Sequence, residues 1–341
     1  MTDLLSDLKK IYAAQSLPEH DGLLVLTDEA ITVLEHESSS YRPPQKTDDG
    51  EKGGGLLDFT ALSPLPLIVV PDLHARCDFF LHLLERPLWQ LALPLEGRVL
   101  DGLSRGTLRL VCLGDLFHSE KRGMMRWISA WEEYLRGNDE SEAMIAEMKE
   151  NLTLFQMVLR VKNAFPDYFH FLKGNHENIL NEGGGGNFPF RKFADEGNMV
   201  YDFMASHYGD ALLHVISLWE HALPLCAVFP HCVLSHAEPK HAYPREKMIS
   251  CDKNPDLIQG LTWTANDEAD EGSVQENLIE LLGKEDAEKA VWISGHRPVR
   301  EVYALRQQGK LIQIHNPLHE QVAVVQTERA FNPETDMIRL R

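Results

Sequence analysis

The amino-acid sequence, 341 residues long, predicts an α/β fold. Two observations lead to this prediction. Short apolar runs, typical of strands that are buried on both faces, recur along the chain, and longer stretches with a helical pattern lie between them. The hydrophobic content of 43% is enough for a sizeable core and excludes intrinsic disorder. The length suits two domains or one elaborated α/β domain.

The first elements belong to an N-terminal segment. Its first 17 residues predict an amphipathic helix and not a signal peptide, because acidic residues precede the lysines and no apolar core segment is present. Leu23–His36 predicts one or two strands, and the polar stretch Ser38–Gly55 predicts an exposed loop. We expect residues 1–60 to pack on a main domain of residues 61–341.

The main domain alternates strands with helices. The predicted strands are Leu65–Val70, Arg109–Leu113, Tyr168–Leu172, Cys232–Leu234 and Val291–Ser294. The predicted helices are Phe79–Leu93, Met124–Lys162, Phe190–His207 and Val274–Lys289. A helical insertion covers about residues 120–162, and both it and residues 266–289 are rich in acids. These acidic stretches predict solvated helix faces or a surface for a protein partner.

Charge and composition exclude several classes of protein. With 33 basic and 52 acidic residues the formal net charge is −19, and such a surface repels phosphate backbones, so a non-specific nucleic-acid binder is excluded. No apolar run is long enough to predict a membrane-spanning helix. The five cysteines are odd in number and lack CxxC spacing, which predicts free thiols in a reducing cytoplasm.

Polar residues suited to metal binding follow each of the five predicted strands. Singly, a His or Gly-Asp after a strand is an ordinary structural feature, but in α/β folds ligands collect at the carboxyl ends of strands, so five such ends can converge. The candidate metal ligands are Asp72, His74, Asp115, Asn175, His236 and His296. This set of oxygen and nitrogen donors without sulfur suits Mn, Fe or Zn. It exceeds the four ligands of a structural zinc, so two metals that share a carboxylate are the simplest interpretation.

Five motifs stand in a fixed order at these strand ends: DLH at 72–74, GD at 114–115, GNHE at 174–177, SH at 235–236 and GH at 295–296. This set resembles the calcineurin-like metallophosphoesterase superfamily. Residues 190–193, 222–228 and 261–263 are similar to the phosphoprotein (Ser/Thr) phosphatase branch of it. The resemblance covers about residues 67–325, and it implies a four-layer α/β/β/α sandwich with helical insertions.

The resemblance also implies a division of the ligands between two metal ions. Asp72 and His74 would hold the first ion, and Asp115 would bridge both. Asn175, His236 and His296 would complete the two ligand sets. In the family, a hydroxide that bridges the ions attacks phosphorus.

The resemblance gives His176 the role of general acid. The residue is adjacent to the ligand Asn175, and an unperturbed imidazole pKa near 6.5 suits it to protonate a leaving alkoxide. The family orients this imidazole with a carboxylate, but His118 stands at that position here. We therefore expect its acidic partner to be weaker than in the family, or to be supplied from elsewhere, for example by Glu177 or a backbone carbonyl.

A second departure concerns the cations that bind phosphate. Ser119 stands where the branch has an arginine, and the acidic residues 266–283 lack the second family arginine. Arg76 and Arg297 each follow a predicted ligand histidine within two residues, so we expect them to supply the missing positive charge.

The sequence therefore predicts a two-metal-dependent phosphoesterase that hydrolyses phosphomonoesters, with a Ser/Thr-type protein phosphatase as one form of it. Two alternatives stay open. One is a nucleotide hydrolase similar to the symmetrical diadenosine tetraphosphatases, which lack the same orienting carboxylate. The other is a catalytically silent metal-binding interaction module. In each enzymatic case the partner is a phosphorylated substrate, with neither a nucleic-acid polymer nor a membrane expected.

Overall fold

The computed structural model describes residues 2–47 and 50–340 of the chain. Within these residues, helices occur at Thr2–Ala14 (α1), His20–Glu35 (α2), Cys77–Glu85 (α3), Val99–Arg105 (α4), Met124–Tyr134 (α5), Glu142–Ala164 (α6), Glu196–Tyr208 (α7), Asp210–Ala222 (α8), Arg245–Ile249 (α9), Pro255–Thr262 (α10), Ser273–Leu282 (α11), Lys284–Ala287 (α12) and Pro333–Asp336 (α13). Within the same residues, no helix combines the length and the apolar character that a membrane crossing requires.

The strands form a hairpin and two larger sheets. They are Pro44–Thr47 (β1), Gly50–Gly53 (β2), Leu56–Asp58 (β3), Leu67–Val70 (β4), Arg109–Cys112 (β5), Phe169–Phe171 (β6), Cys226–Phe229 (β7), Cys232–Ser235 (β8), Val291–Ser294 (β9), Ala304–Arg306 (β10), Leu311–Gln313 (β11), Gln321–Val325 (β12) and Met337–Arg339 (β13). One sheet has the order β13-β12-β4-β5-β6, and the other has the order β10-β11-β9-β8-β7-β3.

The two sheets pack face to face, and helices cover their outer faces. The side chains of β4 alternate between the two faces of its sheet. Leu67 and Val69 belong to the core between the sheets, whereas Ile68 and Val70 belong to the core under the helices α1 to α8. On the other sheet, Trp292 packs under α9 to α12. Strands buried on both faces must be apolar at successive positions. The predicted four-layer α/β/β/α sandwich is confirmed.

The N-terminal segment differs from its prediction. Leu23–His36, which we expected to form strands, lies in the helix α2. Its buried residues recur at helical spacing, at Leu23, Leu26, Ala30 and Leu34. The side chain of Glu19 caps the helix by accepting a hydrogen bond from the Gly22 N–H at 3.0 Å. The strand prediction was wrong because Val and Ile among these residues suggested a pleated pattern that packing against α6 and α8 overrides.

The polar stretch predicted as a loop contains the β1–β2 hairpin, with Pro44 paired to Gly53 and Thr47 to Gly50. Residues 48 and 49 lie outside the described part of the chain. The insertion predicted as one helix is divided into α5 and α6. Ser141 begins α6 by accepting the Met144 N–H at 3.2 Å, which explains the break.

All five cysteines are free and buried, as expected.

Candidate metal centre

Parallel strand ends from both sheets meet at one place. In one sheet β4, β5 and β6 are parallel, and in the other β8, β9 and β11 are parallel, so each sheet presents three carboxyl ends. The structure brings the six predicted metal ligands together at this place: Asp72 and His74 after β4, Asp115 after β5, Asn175 after β6, His236 after β8 and His296 after β9.

One half of the cluster surrounds the amide oxygen of Asn175. This Oδ1 lies 2.9 Å from His236 Nε2 and 2.9 Å from His296 Nδ1. The other ring nitrogen of His236 donates to the carbonyl oxygen of Leu113 at 3.0 Å, so Nε2 of the neutral ring carries a lone pair. His236 Nε2 also lies 3.4 Å from Asp115 Oδ1. In the neutral ring of His236, Nε2 and the Asn175 Oδ1 thus face each other as two acceptors without a proton between them, which is an arrangement that a cation stabilises.

The other half of the cluster contains Asp72 and His74. His74 Nδ1 donates to the carbonyl oxygen of Phe117 at 3.2 Å, so its Nε2 is left as an acceptor. That Nε2 lies 4.0 Å from Asp72 Oδ2 and 3.5 Å from Asp115 Oδ2. Asp115 therefore touches both halves through different oxygens, as a bridging carboxylate would.

Burial controls the charge of the cluster. Burial raises the pKa of Asp72 to about 6, and burial together with the Asp72 charge raises the pKa of Asp115 well above its usual range. Burial lowers the pKa of His74 and of His236 well below 6.5. Without a cation, burial therefore disfavours the charged forms of these carboxyl groups and imidazoles. Divalent ions reverse this preference for the acids, because their charge stabilises the carboxylates.

Two glycines allow the carboxylates to approach the backbone. A Cβ atom at Gly295 would lie 1.8 Å from Asp72 Oδ1, and one at Gly174 would lie 2.3 Å from Asp115 Oδ1. Any other residue at these positions would push the carboxylate away. The Gly that precedes a ligand motif is thus a packing requirement of the site.

His176 lies at the mouth of the cluster. Its ring stacks on Phe190 with centroids 4.5 Å apart, and its Nε2 is 3.9 Å from Asp115 Oδ2. Its Nδ1 is buried and has no hydrogen-bond partner among the described residues. Burial, then the nearby His74 and His118, lowers the pKa of His176 well below 6.5.

The expected partner for His176 is therefore not supplied. Glu177 instead accepts the backbone N–H groups of Asp115, Leu116 and Gly174 at 2.6–2.9 Å, so the prediction for Glu177 was wrong. A backbone carbonyl does not bond the Nδ1 atom either.

His118 is also committed elsewhere. Its Nδ1 accepts the Glu120 N–H at 2.9 Å, its Nε2 faces Glu196 at 3.5 Å, and its ring stacks on Trp127 with centroids 4.9 Å apart. The imidazole fills an aromatic pocket behind His176 and does not hydrogen-bond to it.

A cavity of about 510 Å³ opens over the cluster. His176, Phe190 and Trp263 line it, and its cationic lining residues are Arg191, Lys192 and Arg297. Arg297 is exposed and lines this cavity. Lys192 was missed, although it stands in the 190–193 segment that the resemblance had singled out.

Arg76 does not have the position that we expected for a phosphate-binding residue. Its guanidinium is buried and donates to the carbonyl oxygens of Asp72, Leu73, Asn316 and His319 at 2.7–3.3 Å. The Arg76 guanidinium thus connects two loops behind the cluster and does not face the cavity. The expectation failed because a backbone close to a ligand histidine does not determine the direction of a long side chain.

Two further residues at the cluster escaped the sequence analysis. His315 follows β11, and Glu120 begins the short 3-10 helix Glu120–Gly123 after Ser119; both are buried. Asp72, His74 and His315 each place a ligand atom within 4.8 Å of the others. The signal for His315 was weak, because the Leu311–Ile314 segment before it is short and contains a glutamine.

No family model matches the chain, and no curated protein matches it. The structure is similar to that of a protein serine/threonine phosphatase from Saccharomyces cerevisiae, described as similar to human phosphatase PP5. The TM-score is 0.56 at 12% identity, over 96% of this chain and 91% of that chain. A cold-active protein-tyrosine phosphatase of a psychrophilic Shewanella species aligns with a TM-score of 0.40 at 12% identity, over 84% of this chain and 82% of that chain. The chain thus has a phosphatase fold.

Proposed function

We propose that this chain is a two-metal-dependent phosphoesterase that hydrolyses phosphomonoesters. The observation that carries the proposal is the close approach of two acceptors, since Asn175 Oδ1 and His236 Nε2 lie 2.9 Å apart while His236 Nδ1 donates to Leu113. Such close lone pairs are unfavourable without a cation. The adjoining cluster at Asp72 and His74 shares Asp115 with this one, which supports a pair of ions.

The residues fit such ions in donor type and in orientation. Asp72, His74 and Asp115 would hold one ion, and Asp115, Asn175, His236 and His296 the other. Oxygen and nitrogen donors without sulfur suit Mn, Fe or Zn. Two such ions, when bound, polarise phosphoryl oxygens and lower the pKa of a water molecule between them.

The outer hydrogen bonds hold these ligands in place. The carbonyl oxygens of Leu113 and Phe117 fix His236 and His74 in the tautomer that presents Nε2 to the cluster. The His296 N–H donates to Asp72 Oδ2 at 2.9 Å and keeps this carboxylate turned inward. Such partners typically change metal affinity by about 10–100-fold when they are removed.

His176 is the candidate proton donor to the leaving group. It lines the cavity beside Asp115 and is held flat against Phe190. A proton delivered from the imidazole to the leaving oxygen would prevent the release of a strongly basic alkoxide. No described carboxylate hydrogen-bonds to its Nδ1, so this contribution is weaker than in a carboxylate-oriented pair.

Arg297 and Lys192 are the candidate phosphate-binding cations. Both line the cavity, where they attract a dianion to a protein of net charge −19. Arg297 can present two parallel N–H donors to phosphate oxygens. Lys192 Nζ donates to Glu120 Oε1 at 2.8 Å, so a substrate would share this cation with a carboxylate.

One observation favours hydrolysis of a dinucleoside polyphosphate as the second candidate. Trp263 lines the cavity, and Phe188, which is 41% exposed, packs edge-on against it with ring centroids 5.6 Å apart. Exposed aromatic rings beside a phosphate site can stack on a nucleobase, which is worth about 1–3 kcal/mol per base.

A substrate panel separates the candidates. The metal-free protein is reconstituted with Mn²⁺ and assayed on p-nitrophenyl phosphate, a phosphoserine peptide and diadenosine tetraphosphate, with Asp115→Asn as the matched inactive control. Faster turnover of a monoester supports the first proposal, and faster turnover of the dinucleotide supports the second. Two bound ions without turnover on any substrate would favour a metal-binding interaction module.

A further inference from the structure

The cluster contains a buried histidine that the proposed ligand sets do not use. His315 is fully buried at the carboxyl end of β11, and neither of its ring nitrogens makes a hydrogen bond to a described residue. Nδ1 lies 3.6 Å from Asp72 Oδ2, and Nε2 lies 3.2 Å from Glu120 Oε2. An unsatisfied buried imidazole is costly, so its position beside two carboxylates calls for a further partner.

Glu120 is the second unused residue. It is buried, and its backbone has a φ of 53°, a left-handed conformation that a glutamate adopts at a cost. This conformation directs the carboxylate toward the cluster, where Oε1 lies 3.6 Å from His74 Nε2. Lys192 Nζ holds the same Oε1 at 2.8 Å. The loop thus bears strain while it places a negative charge beside a predicted metal ligand.

We propose that His315 and Glu120 complete the ligand set of the ion held by Asp72 and His74. The inference rests on the proposed two-metal function and extends it. The first ion then has five protein donors: Asp72, His74, Asp115, His315 and Glu120. The second ion has four: Asp115, Asn175, His236 and His296.

The consequence is that the two ions are held unequally. Three carboxylates face the first ion, whereas the second ion meets only the shared Asp115, so Coulomb attraction favours the first. A more complete set of protein donors also leaves fewer coordination places for water or substrate on the first ion. The second ion is then the one that exchanges more readily and offers more places to the substrate.

Lys192 gives Glu120 a defined orientation. Its ammonium holds Oε1, while Oε2 faces His315. A simple Lys–Glu ion pair would not require the left-handed backbone of Glu120 or a buried imidazole whose nitrogens lie near two carboxylates without a well-formed hydrogen bond to either. Those two features are what distinguish a ligand pair from a Lys–Glu bridge at the rim of the cavity.

Metal binding tests this inference without reference to turnover. Mn²⁺ is titrated calorimetrically into the metal-free protein and into His315→Ala, Glu120→Gln and the control His214→Ala, which removes an exposed histidine on α8. The parent protein and the control are expected to bind two ions with distinct affinities. Each site variant is expected to weaken the tighter site at least tenfold and to leave the weaker site within about twofold of the parent.

Two further measurements distinguish a loss of metal ligands from a folding defect. Thermal unfolding of the metal-free variants shows whether the fold persists, and Glu120→Gln preserves side-chain size. The visible absorption of Co²⁺ bound at the tighter site should change in both variants, because the spectrum depends on coordination number and donor type. Parent-like affinities and spectra in both folded variants would overturn the inference, whereas a parent protein that binds fewer than two ions would instead refute the proposed two-metal function.

Discussion

Substitution of Gly295 tests whether the position of one carboxylate determines metal binding. An alanine Cβ at this position would lie 1.8 Å from Asp72 Oδ1, whereas carbon and oxygen need roughly 3.3 Å, so the oxygen must move by about 1.5 Å. Metal–oxygen bonds tolerate about 0.2 Å. Asp72 is fully buried and accepts the His296 N–H, so it cannot retreat without losing that bond as well.

We expect Gly295→Ala to weaken binding of the ion held by Asp72 by about 10–100-fold, which corresponds to roughly 1.4–2.7 kcal/mol. Calorimetric titration with Mn²⁺ measures this change, and circular dichroism checks the fold. The matched control is Gly184→Ala, since a Cβ there meets no atom within 4 Å and its φ is not in the left-handed region. A folded Gly295→Ala protein with affinities within twofold of the control would refute the argument that close packing positions this ligand.

Three further substitutions test the roles of single residues. Asp115→Asn should reduce metal content and lower turnover by orders of magnitude, because this carboxylate faces both halves of the cluster; elemental analysis showing two tightly held ions would contradict that role. His176→Ala should preserve metal content but slow alkyl phosphates by about 10²–10⁴-fold and aryl phosphates less, and equal losses on both would make His176 structural. Arg297→Ala should lower kcat/KM for p-nitrophenyl phosphate at unchanged metal content, while parent-like kinetics would move the phosphate contact to Lys192.

Much of the site could be predicted because its residues follow strands that the sequence shows plainly. Leu65–Val70 and Val291–Ser294 are mainly apolar, and in each of the two sheets parallel pairing aligns the carboxyl end of such a strand with that of its neighbour, whatever the length of chain between them. β11 has only three residues, and one is a glutamine, so its pattern is too short to stand out. Because β11 was not predicted, His315 after it was not identified as a candidate ligand.

Side-chain direction and tertiary packing account for the other errors. Leu23–His36 carries Val and Ile in an order that fits a strand, but packing against α6 and α8 stabilises it as a helix. Arg76 stands two residues from a ligand, yet its guanidinium turns to carbonyl oxygens that distant loops supply, including that of Asn316. Neither outcome follows from local sequence, because each depends on groups far along the chain.

The replacement of a carboxylate by His118 connects these findings to the choice of substrate. Glu196, which faces His118, also accepts hydrogen bonds from the backbone N–H groups of Lys192, Phe193 and Ala194. Its carboxylate therefore stabilises that loop. No carboxylate of the described residues hydrogen-bonds to His176 Nδ1 to stabilise its protonated form. If this site holds two cations and uses His176 as its proton donor, as we propose, it is best matched to leaving groups that depart without full protonation. Aryl phosphates and phosphoanhydrides meet that condition. The phosphoanhydrides include the dinucleoside polyphosphates, our second candidate substrates, whose bases could stack on the exposed Phe188 ring.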